Sequence, residues 1–195
     1  MPADAEDAAM AGVLMVPGLG DSGPHHWQTW WQSQDPGTVR VLQEDWLTAD
    51  LERWSTRVWE AVVPLGRPVW LVAHSFGCLA TVRAGFERPD RIAGALLVAP
   101  AQPERFGVTL PTQPLPFPST LVASRDDPWM SFPAAAEWAR RWGSHLVDLG
   151  QAGHINADSG YGPWPEGRAL LHELKERAAH GSLRRPAGNS GWAWG

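Results

Sequence analysis

Apolar residues in this chain fall into short unbroken runs, separated by stretches where they recur every three or four positions. Val13-Leu14-Met15-Val16, Val39-Arg40-Val41-Leu42, Pro68 to Val72, Ile92 to Ala99, Ser119 to Ser124 and His145 to Leu149 are β-prone and of strand length. Helical spacing governs the stretches between them. Leu51, Trp54, Val58 and Val62 share a face within residues 48–63, with Thr48 as the expected N-cap and Pro64 as the stop. Leu79, Val82 and Phe86 repeat the pattern up to Pro89, and Phe132 to Trp142 carries Pro133 in its first turn and Gly143 at its end. Leu170, Leu171 and Leu174 face one way in a last helix over 165–179, and His25-His26-Trp27 with Trp30-Trp31 opens a helix after the first strand. Strands that are apolar throughout suit a sheet buried on both faces. Their alternation with amphipathic helices predicts a three-layer α/β fold with a mostly parallel central sheet.

The segment from Pro100 to Pro118 is too rich in proline for a helix or a central strand. It reads either as a flap at the strand ends or as a long surface connection, and no other segment could form a lid domain. Residues 1–10 are acidic and alanine-rich and read as a loose leader, 11–180 as a single domain, and 181–195 as a flexible polar tail.

Bulk properties narrow the classes of function. The chain has 195 residues, 44% hydrophobic and 19% charged, an ordinary globular composition. A net charge of −5 leaves no basic surface for nucleic acid. No apolar run approaches the length of a membrane span, and the start lacks the basic region of a signal peptide. The single cysteine, Cys78, excludes a disulfide framework and suits a reducing cytoplasm. The 13 tryptophans point to core packing and pocket lining without fixing a role for any one of them.

Chemistry gathers at the ends of the candidate strands. Ala73-His74-Ser75-Phe76-Gly77 follows one strand and opens a helix, the form of a nucleophile elbow that lifts a serine hydroxyl above a parallel sheet. Small residues two before and two after the serine, Ala73 and Gly77, let its backbone turn sharply. Arg125-Asp126-Asp127-Pro128 follows the next strand but one, and Gly153-His154 follows the last. Ser, Asp, His is the chain order of α/β-hydrolase triads: His154 would take the proton of Ser75, and Asp126 or Asp127 would hold the imidazole. Pro17-Gly18-Leu19-Gly20 could turn the Leu19 N–H toward the serine, making with the Phe76 N–H a two-donor oxyanion hole.

Two competing motifs share that first loop. Gly18-x-Gly20-x-x-Gly23 matches a dinucleotide fingerprint, but Pro24 stands where the phosphate-binding helix should already be running. Gly20-Asp21-Ser22-Gly23 echoes the serine site of trypsin-like proteases, yet no histidine precedes Ser22, as that chain order requires. His25 and His26 could face the pocket, but adjacent residues do not share a helix face, so paired metal ligation is not expected.

Val16-Pro17-Gly18-x-Gly20 before a Trp-rich helix, His74-Ser75-x-Gly77, Ser124-Arg125-Asp126-Asp127-Pro128 and Gly153-His154 together resemble the small α/β-hydrolases of the retinoblastoma-binding-protein-nine/YdeN type. The continuation from Ile155-Asn156 to Glu166-Gly167 is similar to the bacterial branch, and Ala73 departs from the usual first glycine of the elbow. The resemblance spans about residues 12–175. It implies a single-domain serine hydrolase of small carboxylic esters and assigns the triad acid to the aspartate directly before the proline, Asp127. Catalytic Ser75, Asp127 and His154, oxyanion donors Leu19 and Phe76, no cofactor, no metal, and a small ester or related acyl substrate as partner are therefore expected, in the cytoplasm, with neither nucleic acid nor membrane and with a protein partner possible but not indicated. Two other readings predict different behaviour: a hydrolase fold kept as a binding module with little or no turnover, and a dinucleotide-binding protein.

Overall fold

The computed structural model describes residues 12–182. The expected leader and nearly all of the expected tail lie outside the described residues, while Gly181 and Ser182 end the last helix.

Six strands form one sheet: β1 Gly12–Val16, β2 Val39–Arg40, β3 Val69–His74, β4 Ile92–Val98, β5 Ser119–Ala123 and β6 His145–Asp148. Every pairing is parallel, and the order across the sheet is β2-β1-β3-β4-β5-β6. The central strands β3 and β4 are buried almost along their whole length because both faces are covered, whereas the edge strands β2 and β6 are partly exposed. Val69, Leu71 and Ala73 of β3 point into one apolar cluster, and Trp70 and Val72 into the other.

Helices α2 Leu51–Val62, α3 Phe76–Glu87 and α4 Phe132–Trp142 pack on the first face; α1 Trp27–Gln34 and α5 Pro165–Ser182 pack on the second. Trp54 and Trp142 are closed off on one side of the sheet, Trp27 and Trp70 on the other. Rings of this size bury on the order of 200 Å² each, so they supply much of the core on both faces.

The sheet grows in opposite directions from β1 and β3, and the loops leaving these two neighbours part at their C-terminal ends. Ligands of open α/β sheets bind in the crevice such a switch point leaves. Here it brings the Pro17–Gly20 loop against Ser75.

Local features depart from expectation in ways the backbone explains. Val39–Arg40 is the whole of β2; Val41 still donates its N–H to Met15 at 2.9 Å, but Leu42 turns out to solvent. The N-cap of α2 is Asp50, not Thr48. Asp50 is the last extended residue before the helix and its carboxylate accepts the Arg53 N–H, as capping requires. Thr48 sits in the preceding turn, its N–H held by Asp45. Pro64 does not stop α2 directly but lies within a 3₁₀ turn, Val63–Leu65, that tightens its end. The proline-rich segment is neither open connection nor separate lid. It includes a 3₁₀ turn, Pro103–Phe106, and buries Leu110, Leu115 and Phe117 against the core.

Candidate active site

Ser75 stands between β3 and α3 with φ 55° and ψ −126°, a conformation that L-residues seldom adopt. Holding it costs about 1–3 kcal/mol, and the surroundings explain how it is enforced. A Cβ on Gly77 would lie 2.4 Å from the carbonyl oxygens of both Val16 and Pro17, so only glycine lets α3 start this close to β1. The Ser75 N–H is spent on the Val98 carbonyl at 3.1 Å, which ties the turn to β4. The Oγ is thereby carried to the top of the sheet.

His154 arrives on the loop after β6 and is fixed at four points. Its Nε2 lies 2.9 Å from Ser75 Oγ, and its Nδ1 lies 2.9 and 3.0 Å from the two carboxylate oxygens of Asp127. Its backbone N–H donates to Ser159 Oγ at 3.1 Å, and its carbonyl oxygen lies 2.9 Å from His74 Nε2, which must carry the proton of that bond. Gly153 adopts φ 54° just before it, and a Cβ there would meet Ser159 Oγ at 2.5 Å. The glycine is thus what allows the loop to close on Ser159.

The paired aspartates separate. Asp127 turns inward, its side chain 3% exposed, and also accepts the Trp129 N–H at 2.8 Å. Asp126 turns away from the imidazole. It accepts the Ser124 hydroxyl at 2.6 Å and the Gly153 N–H at 2.9 Å, and these bonds, the hydroxyl first, hold its carboxyl below the usual range.

The first loop lies against Ser75. A Cβ on Gly18 would fall 2.8 Å from the Ser75 Cβ and 3.4 Å from its Oγ. Among the described residues, neither the Leu19 nor the Phe76 N–H donates to a protein acceptor. Both competing motifs in this loop take structural roles. The helix after the glycines begins only at Trp27, so the fingerprint has no phosphate-facing helix start. Ser22 is buried, donating its hydroxyl to Gln28 Oε1 at 2.6 Å. Gln28, itself closed off, donates to the carbonyls of Val16 and Val72 at 3.4 and 3.0 Å and so braces the ends of β1 and β3.

A cavity of about 330 Å³ opens above Ser75. Leu19, Phe106 and Trp129 form its apolar lining; Asp21, His26, Asn156 and Asp158 contribute polar atoms. The expected serine, aspartate and histidine meet here, joined by His26 of the His25-His26 pair and by Phe106 from the proline-rich segment. Their spacing from the motifs carries no signal, because each arrives through tertiary packing. His26 caps α1, its Nδ1 accepting the Gln28 N–H at 3.2 Å. Cys78, one turn into α3, is buried with its thiol pushed well above the ordinary range by desolvation, a poor nucleophile.

A parallel sheet with an unusually wound serine at its C-terminal edge, and a histidine and carboxylate brought to it by later loops, defines an α/β-hydrolase. More closely, the chain belongs to the serine hydrolase family, whose sequence model matches residues 13–173. It is similar to a proposed YdeN-like hydrolase of Pectobacterium atrosepticum, with 40% identity, a TM-score of 0.84, and 90% of this chain and 96% of the other covered. The ydeN product of Bacillus subtilis shares 20% identity at a TM-score of 0.69, over 85% of this chain and 99% of that one. An esterase of Thermogutta terrifontis has the same fold at 15% identity and a TM-score of 0.66, over 85% of this chain and 90% of its own. No curated protein sequence matches the chain. Among the described residues no helix is long and apolar enough to cross a membrane.

Proposed function

We propose that this protein is a carboxylesterase that acts through an acyl-enzyme on Ser75. One observation carries the reading: an unbroken hydrogen-bonded line from the Asp127 carboxylate, through both ring nitrogens of His154, to the Ser75 hydroxyl. Along that line His154 Nε2 takes the hydroxyl proton as Oγ attacks the ester carbonyl, while Asp127 accepts a hydrogen bond from Nδ1–H and stabilises the imidazolium. The negative oxygen of the tetrahedral intermediate sits against the Leu19 and Phe76 N–H groups, the second at the N-terminus of α3. His154 returns its proton to the departing alcohol, and a water activated by the same nitrogen then releases the acid. The cavity lies at the small end of the usual range for ligand pockets and favours small acyl groups. The substrate is thus a small ester needing no cofactor, and the single, buried cysteine fits the cytoplasm as the place of action.

The test is labelling by a fluorophosphonate, which needs an activated serine but no knowledge of the substrate, together with hydrolysis of p-nitrophenyl butyrate. Both should occur in the wild type, and Ser75→Ala should lose label and lower kcat by about 10⁴–10⁶. A folded Ser75→Ala protein retaining a tenth of the activity would remove Ser75 from its role. A wild type that neither labels nor hydrolyses would be a binding scaffold instead.

A further inference from the structure

Three imidazoles stand in a row beside the nucleophile: His26 and His74 with ring centres 4.8 Å apart, and His74 and His154 likewise 4.8 Å apart. His74 is accounted for by its bond to the His154 carbonyl. His26 is not. It is 5% exposed and lines the cavity above Ser75, and because its Nδ1 accepts the Gln28 N–H, the proton of the neutral ring is on Nε2. That Nε2 is one of three buried side-chain atoms without a hydrogen-bond partner among the described residues; the others, on Thr81 and Arg91, belong to residues that do not line the cavity. Burial foremost, then Arg40 and His154, pushes the ring's pKa down to about 4, so at neutral pH it is a neutral donor. Native proteins seldom leave a buried donor unused, and such a group gains a full hydrogen bond when a ligand oxygen meets it.

The side of the cavity matters. Phe106 packs edge-on against Phe76, at the oxyanion end, and with Leu19 makes an apolar wall suited to an acyl chain, while Trp129 stacks on Phe106 and reaches the His154 ring at 6.2 Å. His26 instead lies along the row of rings leading to His154, the group that hands its proton to the leaving alcohol. Asp158 lines the same cavity and is exposed; among the described residues it has no hydrogen bond or ion pair, and none of the residues that line the cavity is a lysine or arginine. A donor and a carboxylate acceptor together match a hydroxyl, which accepts from one and donates to the other. Arg40 and Arg105 stand behind lining residues, Arg40 paired with Asp21 at 2.9 Å and Arg105 over the Trp129 ring at 5.9 Å, so a carboxylate on the alcohol would meet no cation in the lining itself.

We infer that His26 Nε2–H is a specificity-determining donor to the leaving group, and that the substrates are short-chain esters of alcohols carrying a further hydroxyl near the ester oxygen. The inference rests on the esterase reading above. Contact asks the cavity wall to give by a side-chain shift of the kind ligand entry commonly brings.

The experiment compares 2-hydroxyethyl butyrate with propyl butyrate, esters that differ by a hydroxyl in place of a methyl, each rate corrected for hydrolysis by hydroxide alone. The wild type should favour the hydroxyethyl ester about tenfold in kcat/KM, the effect of one recovered hydrogen bond. His26→Asn keeps a side-chain oxygen to cap α1 but loses the distal N–H, and the preference should fall to less than threefold. His26→Phe, which keeps the ring packing, gives the same reading if the asparagine variant does not fold. Equal wild-type rates on the two esters overturn the inference without reference to any variant, as does a preference that survives in a folded His26 variant. In both cases fluorophosphonate labelling of Ser75 would leave the esterase reading standing; absence of labelling and of turnover on both esters would end both.

Discussion

Asp126 and Asp127 are adjacent and chemically identical, yet the turn gives them separate partners. Pro128 biases the residue before it toward extended backbone, and Asp127 from there reaches His154 Nδ1. Asp126 holds the Ser124 hydroxyl and the Gly153 N–H, bonds that Asn can largely keep through its own oxygen. Asp127→Asn should therefore lower kcat by about 10³–10⁴ in a folded protein, because the imidazole loses control of its tautomer. Asp126→Asn should cost less than about tenfold; steady-state kinetics of the two purified variants checks the ranking, and the reverse order would make Asp126 the acid. Ser75, His154 and the pair of aspartates were legible as residue types at strand ends, and the structure brings Ser75, His154 and Asp127 within hydrogen-bonding distance. Which aspartate faces the ring came only from the family resemblance, since adjacent positions in a turn carry no periodicity. His25 and His26 were both legible as residues near the pocket, but not which of them faces it, for a related reason: the direction of His26 is set by capping α1, and nothing in His-His-Trp distinguishes a cap that looks into a cavity from one that looks out.

Elements were legible where periodicity runs long and illegible where one residue decides. The strands and helices around the sheet follow from their apolar patterns. The start of α2 does not, because Thr48 and Asp50 are both good caps and the choice depends on which is the last extended residue. The loop after β1 shows the same limit. Its glycines look equivalent in the sequence, but Gly20 has φ 79° and open space where a Cβ would go, whereas Gly18 has no room beside Ser75. Gly18→Ala would place its methyl 2.8 Å from the Ser75 Cβ and 3.1 Å from the His74 carbonyl oxygen, so the loop or the nucleophile must move. If that loop presents an oxyanion donor, kcat should fall by about 10²–10³ while KM changes little, since the hole acts in the transition state. Kinetics on p-nitrophenyl butyrate, with a thermal melt to check folding, decides it. A change confined to KM would reduce the loop to a pocket lining.

At the scale of the whole molecule, the row of histidines makes the fold sensitive to acid before its carboxylates titrate. His26 is held down to about 4 by burial, then by Arg40 and His154; His74 is driven well below its usual range by burial, then by His26 and His154. An unfolded histidine titrates near 6.5. Between pH 6.5 and 4 the unfolded chain therefore binds a proton at position 26 that the folded protein refuses, and stability falls as pH falls through that window. For His26 alone the loss across the window is about 3 kcal/mol, a large part of the ~5–15 kcal/mol that holds a typical domain together. His74 adds to it in the same direction. The carboxylates with lowered values, Asp45, Asp126, Glu137 and Asp148, begin to lose their stabilising effect as pH falls through their unfolded values of about 4 to 4.5, so the slope between pH 6.5 and 5 belongs to the rings. Urea unfolding at pH 7, 6, 5 and 4.5 should show stability declining with a slope of at least one proton below pH 6.5. In His26→Asn that slope should be shallower by about one proton, because the cap is retained and the buried titrating ring is gone. A wild-type stability that stays level down to pH 4.5 would mean that the rings accept protons in the folded state. The description of His26 as a neutral, closed-off donor would then fail with it.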